Sequence, residues 1–133
     1  MEGKGTYTLI MQLKEGRKLR VGALGEIYFE EGFYAYTGSA LGAGGFSRIK
    51  RHLDVAAGNN STRKWHIDYL LPHSDVLQTV TSVRPECSIA AGIDAVLPRI
   101  AGFGCSDCRC QSHLHYSRTL DSMVKAVRKA HRV

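Results

Sequence analysis

Tyr7 and Tyr36 stand well apart in the chain, and a short basic segment carrying Arg48, Lys50, Arg51 and His52 follows the second. On a helix Arg48 and His52 are i and i+4 and share one face, with Arg51 close to that face. Two phenol hydroxyls from neighbouring strands could then meet a guanidinium and an imidazole, groups that bind phosphate and move protons. The plainer reading of the same residues is a pair of half-buried strand tyrosines and a solvated basic helix.

The glycines between them, "GSALGAGG" at 38 to 45, match neither G-x-G-x-x-G nor a P-loop, which must end in Gly-Lys-Ser/Thr. Nucleotide cradling is thereby disfavoured. The run reads as a strand-to-helix connection whose backbone N–H groups can touch a phosphate. Further on, "KWHIDYLL" holds Trp65, His66, Asp68 and Tyr69. His66 and Asp68 would diverge on a helix and align on a strand. A hydrogen-bonded junction is the first reading of this cluster, with Trp65 in core packing or stacked on a base. Cys105, Cys108, Cys110 and His113 have spacing that can wrap Zn²⁺, with Cys87 or His115 able to replace a member. Buried thiols, or a disulfide from Cys87 to this loop, are the competing readings.

The elements that must hold these groups follow from periodicity. Residues 6 to 13 and 33 to 37 read as strands, with short extended pieces broken by Gly22 and Gly25 between them. A helix is expected over 46 to 57, with Phe46, Ile49 and Leu53 on its apolar face, stopped by Gly58. Val76, Val80 and Val83 suggest a strand before a helix over 86 to 100, striped by Ile89, Ile93 and Val96/Leu97. A last amphipathic helix spans 119 to 131, with Leu120, Met123, Val124 and Val127 inward. The expected fold is α+β: one domain over 1 to 133, with a small central, mainly antiparallel β-sheet flanked by about three helices.

The 133 residues are 44% hydrophobic and 23% charged, which places the chain among ordinary globular proteins. No apolar run approaches the roughly 20 residues of a membrane span. The start "MEGKGTYTLIMQL" lacks the features of a secretory signal, so a cytoplasmic location is expected. The net charge of +6 favours polyanionic partners.

Taken in order, G-x-Y at Gly5–Tyr7, Y-x-G at Tyr36–Gly38, and an arginine and histidine four apart on the next helix resemble the GIY-YIG nuclease superfamily. Thr6 and Thr37 replace the two motif isoleucines, and "EGRKLRVGALGEIYFEEG" lengthens the gap between motifs. With "YTGSA", "KWHIDYLL", "PEC" and "GFGCSDCRCQSHL", the chain is similar over almost its whole length to one branch, the DUF123 domain, found alone or fused to DNA-repair glycosylases. The resemblance implies metal-dependent hydrolysis of DNA phosphodiester bonds, on branched or damaged DNA, with a repair glycosylase as possible partner. It makes Glu86, at the start of the helix after the third strand, the ligand of Mg²⁺ or Mn²⁺. Tyr7 would activate or place the attacking water, helped by a cation because an ordinary phenol near pKa 10 is too weak a base. Tyr36 would assist, Arg48 would stabilise the phosphoryl charge, and His52 would relay a proton. Ser39, Lys50, Arg51, Arg63, Lys64 and His66 form the expected nucleic-acid face. The branch pattern points to Cys87, Cys108, Cys110 and His113 as the zinc set. Two departures stand out: Ser39 replaces a usually basic residue, and Pro98 and Arg99 stand where a polar residue is expected beyond Glu86. A catalytically inactive nucleic-acid-binding module and a zinc-stabilised docking domain for a repair enzyme are the alternative functions.

Overall fold

The computed structural model of the protein describes residues 4 to 42, 44 to 104 and 111 to 133. Strand β1 (Thr6–Leu13) is central. It pairs antiparallel with β4 (Gly32–Ser39) on one side and β5 (Asp75–Ser82) on the other. Strand β6 (Leu114–Ser117) joins the far edge of β4, giving a four-stranded sheet in the order β5-β1-β4-β6. Strands β2 (Arg17–Arg20) and β3 (Glu26–Phe29) form a separate two-stranded sheet within the long insertion. The fold is α+β, as the sequence suggests.

Strict alternation in β1 explains why the sheet is covered on both faces. Tyr7, Leu9, Met11 and Leu13 enter one apolar cluster, shared with α1 (Ser47–Ala56) and the short α2 (Ile67–Leu70). Ile10 enters the opposite cluster, against α3 (Glu86–Asp94) and α4 (Leu120–His131). Thr119 caps α4 by accepting a hydrogen bond from the Ser122 amide at 3.3 Å.

Thr6 and Thr37 are buried polar residues with partners. Thr6 donates to the Arg84 carbonyl. Thr37 bonds Thr8 at 3.0 Å, and Thr8 bonds His131 Nε2 at 2.7 Å. Ser82 holds the other nitrogen of His131 at 2.7 Å. This chain of bonds ties the end of α4 to the sheet and satisfies groups that would otherwise be costly to bury.

Three expectations need correction. The buried face of α1 consists of Ile49, His52 and Val55, whereas Leu53 is 40% exposed. The helix lies across two tyrosines, and a histidine fits that polar-edged surface. Helix α3 ends at Asp94 and Val96 is exposed, because Pro98 disfavours helical geometry in the residue before it. Val83 lies past the end of β5 and is 88% exposed. A register shift between Ile10 and Met11 also sends Val76 and Val80 to opposite faces.

Candidate functional site

At the end of the sheet where β1 begins and β4 ends, a cleft of about 290 Å³ is walled by Tyr7, Tyr36, Arg48, Trp65, Glu86 and His113. Ser39, Lys64, His66 and two glycines complete it. Larger hollows of about 750 Å³ and 510 Å³ lie beside the other end of β1 and along α3. Neither gathers this set of groups.

The approach of β1 to its neighbours explains two glycines. Tyr7 pairs with Gly38, and a Cβ at residue 38 would run into the Tyr7 phenol. A Cβ at residue 5 would likewise strike the Ser82 carbonyl oxygen of β5. Gly38 therefore allows close packing on Tyr7, and Gly5 the close approach of β1 to β5.

Tyr7 Oη lies 2.7 Å from Nε2 of His52, a fully buried residue. The rings of Tyr7, Tyr36 and Trp65 surround the imidazole, with centroids 5.5, 5.8 and 5.9 Å away. Burial in this aromatic box, reinforced by the Arg51 charge, lowers the His52 pKa to about 4. His52 is therefore neutral, and its Nδ1 has no hydrogen-bond partner among the described residues. Burial, with Tyr36 adding to it, pushes the Tyr7 phenol well above its ordinary value, and the opposing influence of Arg48 does not offset this. Tyr7 is a neutral phenol at physiological pH.

Arg48 donates to the Ser39 carbonyl at 2.9 Å, and its guanidinium lies 5.0 Å from the Trp65 ring centre. That carbonyl anchor and the stacking hold the group at the cleft wall. Arg51 is tied to the scaffold of the cleft. It pairs in bidentate fashion with fully buried Asp68, at 2.8 and 2.9 Å, while stacking on Trp65 at 4.2 Å. The Lys64 and Trp65 amides also donate to Asp68, at 2.7 and 2.9 Å. Burial favours protonation of Asp68, but Arg51 and these amides outweigh it and hold the carboxyl below its usual range. The His66–Asp68 segment is thus the hydrogen-bonded junction. His66, diverging from Asp68, accepts from the Gly104 amide at 2.8 Å.

Glu86 opens α3 behind Pro85, where the helix dipole favours its negative charge. Its Oε2 lies 3.5 Å from His113 Nδ1. The ligand atoms of Glu86, Cys87 and His113 all fall within 4.8 Å of one another. A single partly exposed carboxylate on a polar cleft fits Mg²⁺ or Mn²⁺, which retain waters and share substrate oxygens. Cys87 is disulfide-bonded, so in this state its sulfur offers no thiolate to zinc. The candidate ligands Cys105, Cys108 and Cys110 lie outside the described residues.

Of the residues singled out from sequence, Tyr7, Tyr36, Ser39, Arg48, Lys64, His66, Glu86 and His113 line the one cleft. His52 stands behind it on Tyr7. Lys50 pairs with Asp54 at 3.0 Å and Arg63 donates to the Thr62 carbonyl, and neither lines the cleft. Sequence reasoning did not find Gly104 as a wall residue or His113 as a neighbour of Glu86. The density of chemistry-bearing residues in "GFGCSDCRCQSHLHY" was the available signal.

The family model described as "Domain of unknown function DUF123" matches residues 6–133. No curated protein and no solved structure matches the chain.

Proposed function

The chain belongs to the DUF123 family, and from that premise and the cleft we propose a metal-assisted phosphodiester hydrolase of the GIY-YIG type, acting on DNA. The observation that carries this reading is convergence. Tyr7 from β1, Tyr36 from β4, Arg48 from α1 and Glu86 from α3 line the same small cleft although they are scattered along the sequence. Two hydroxyls, a fixed guanidinium and a lone carboxylate suit an in-line attack by water on a phosphodiester.

In this reading the Arg48 guanidinium binds the phosphoryl oxygens and stabilises charge that grows in the transition state. Tyr7 and Tyr36 place the attacking water. A neutral Tyr7 is too weak a base to act as a free phenolate, and His52, with its pKa lowered to about 4, is a poor proton acceptor behind it. Tyr7 therefore orients the water through its hydroxyl, which His52 Nε2 holds in place from 2.7 Å away. The proton that the water loses passes to solvent on the partly exposed Glu86 side of the cleft. A Mg²⁺ or Mn²⁺ ion held by Glu86 would supply Lewis acidity toward the leaving oxygen. The P–O bond to that oxygen breaks as the bond from water forms, with no covalent enzyme intermediate.

The second reading, a nucleic-acid-binding module without catalysis, is favoured by the strong upward push on Tyr7. The test is nicking of plasmid, branched, flapped and duplex DNA with Mg²⁺ or Mn²⁺, run beside Arg48→Ala and a binding assay. Cleavage that disappears in Arg48→Ala supports the hydrolase. Salt-sensitive binding without cleavage supports the module. Branched or damaged DNA is the proposed substrate class, and a repair glycosylase the proposed partner.

A further inference from the structure

Cys87 follows Glu86 directly on the first turn of α3, and it is an exposed residue. His113 is buried and held on both sides through its backbone. Its amide donates to the Phe103 carbonyl at 2.8 Å, and its carbonyl accepts from the Thr37 amide at 2.9 Å. Its imidazole therefore sits in a fixed place beside Glu86.

A sulfur, an imidazole nitrogen and a carboxylate oxygen form the mixed donor set that zinc takes and magnesium does not. Around a tetrahedral zinc ion such donors stand roughly 3–4 Å apart, from bond lengths of about 2.0–2.3 Å. The 3.5 Å between His113 and Glu86 already meets that spacing. The ligand atoms of the whole set lie within 4.8 Å of one another. The donor set lacks one thing in the disulfide-bonded state, a thiolate.

We propose that reduction of the Cys87 disulfide creates a zinc site from Cys87, His113 and Glu86, with one position open to water or substrate. A dithiol reductant supplies two electrons and two protons. The S–S bond breaks, two thiols form and the reductant becomes a disulfide. Zinc then displaces the proton of the Cys87 thiol, which passes to solvent. Glu86 is shared between this site and the hydrolytic cleft. If the hydrolase reading holds, reduction with zinc present withdraws Glu86 from Mg²⁺ and switches cleavage off. The zinc site itself does not depend on that reading.

Cobalt reports the site without DNA, through a thiolate-to-metal charge-transfer band. Oxidised and reduced protein, with reductant removed, are titrated with Co²⁺ and then back-titrated with Zn²⁺. The reduced wild type is expected to gain the band and the oxidised protein to lack it. Cys87→Ser and Glu86→Gln both alter surface positions, and circular dichroism verifies that each is folded. Cys87→Ser should abolish the band. Glu86→Gln should weaken Co²⁺ binding by about tenfold or more. A band of unchanged affinity in either variant, which would come from the remaining cysteines, overturns the proposal, as does absence of the band from the reduced wild type. Nicking by the oxidised protein is measured separately, so failure of the hydrolase reading and failure of the zinc site are distinguishable.

Discussion

A buried imidazole is bonded to a buried phenol at the back of the cleft, 2.7 Å apart. His52 is neutral because its aromatic box excludes water, and Tyr7 is neutral for the same reason. The neutral state of both groups predicts a pH–rate profile with no inflection near the ordinary histidine value of about 6.5. Activity should hold down to near pH 4 or until the protein unfolds, and an inflection between pH 6 and 7 that vanishes in His52→Gln would contradict it. Replacing Tyr7 by Phe removes the partner of His52 Nε2 inside the core. Its expected stability cost is about 1–3 kcal/mol by urea titration, with loss of nicking. These roles were only partly legible from residue types. The tyrosines and the i, i+4 Arg48–His52 pair were visible, but hydropathy cannot mark a histidine as core.

At the scale of elements, the cleft depends on how α1 and α2 are locked together. Arg51 reaches across to Asp68, and the pair carries Trp65, which in turn backs Arg48. Removing one partner of a buried ion pair leaves the other charge stranded. Asp68→Ala should therefore cost about 3–5 kcal/mol in chemical denaturation. Arg51→Ala should also destabilise, a loss that a mere phosphate contact would not show. Periodicity made β1 and α4 readable almost to the residue, because both have apolar positions on one repeat and α4 has its Thr119 cap. The face of α1 and the length of α3 were not readable. One depends on the tyrosines it covers, and the other on Pro98 overriding an apolar stripe that continues beyond Asp94.

Across the whole molecule, two buried histidines bind sheet to helices on opposite faces, His52 under α1 and His131 at the end of α4. Both pKa values are lowered to about 4, chiefly by burial. The unfolded chain binds protons near pH 6.5 and the folded one does not, so stability is full above that pH and is lost as pH falls toward 4. For His52 alone the loss amounts to about 3 kcal/mol across that window. Thermal melts from pH 7 to 4.5 should show a falling midpoint that His131→Gln makes shallower. A midpoint independent of pH would contradict the neutral assignments. Among the described residues no helix is long and apolar enough to cross a membrane. The net charge of +6 predicts that DNA binding weakens as salt rises.

The central claim is that Glu86 anchors a hydrolytic centre in this cleft. Nicking of supercoiled plasmid by oxidised protein in Mg²⁺ or Mn²⁺ tests it directly, with wild type and Glu86→Ala purified in parallel. The account predicts nicking by the wild type and a loss of about 1,000-fold or more in Glu86→Ala, with an unchanged circular dichroism spectrum. Equal nicking by the two proteins, or none by the wild type on any DNA form, would contradict it.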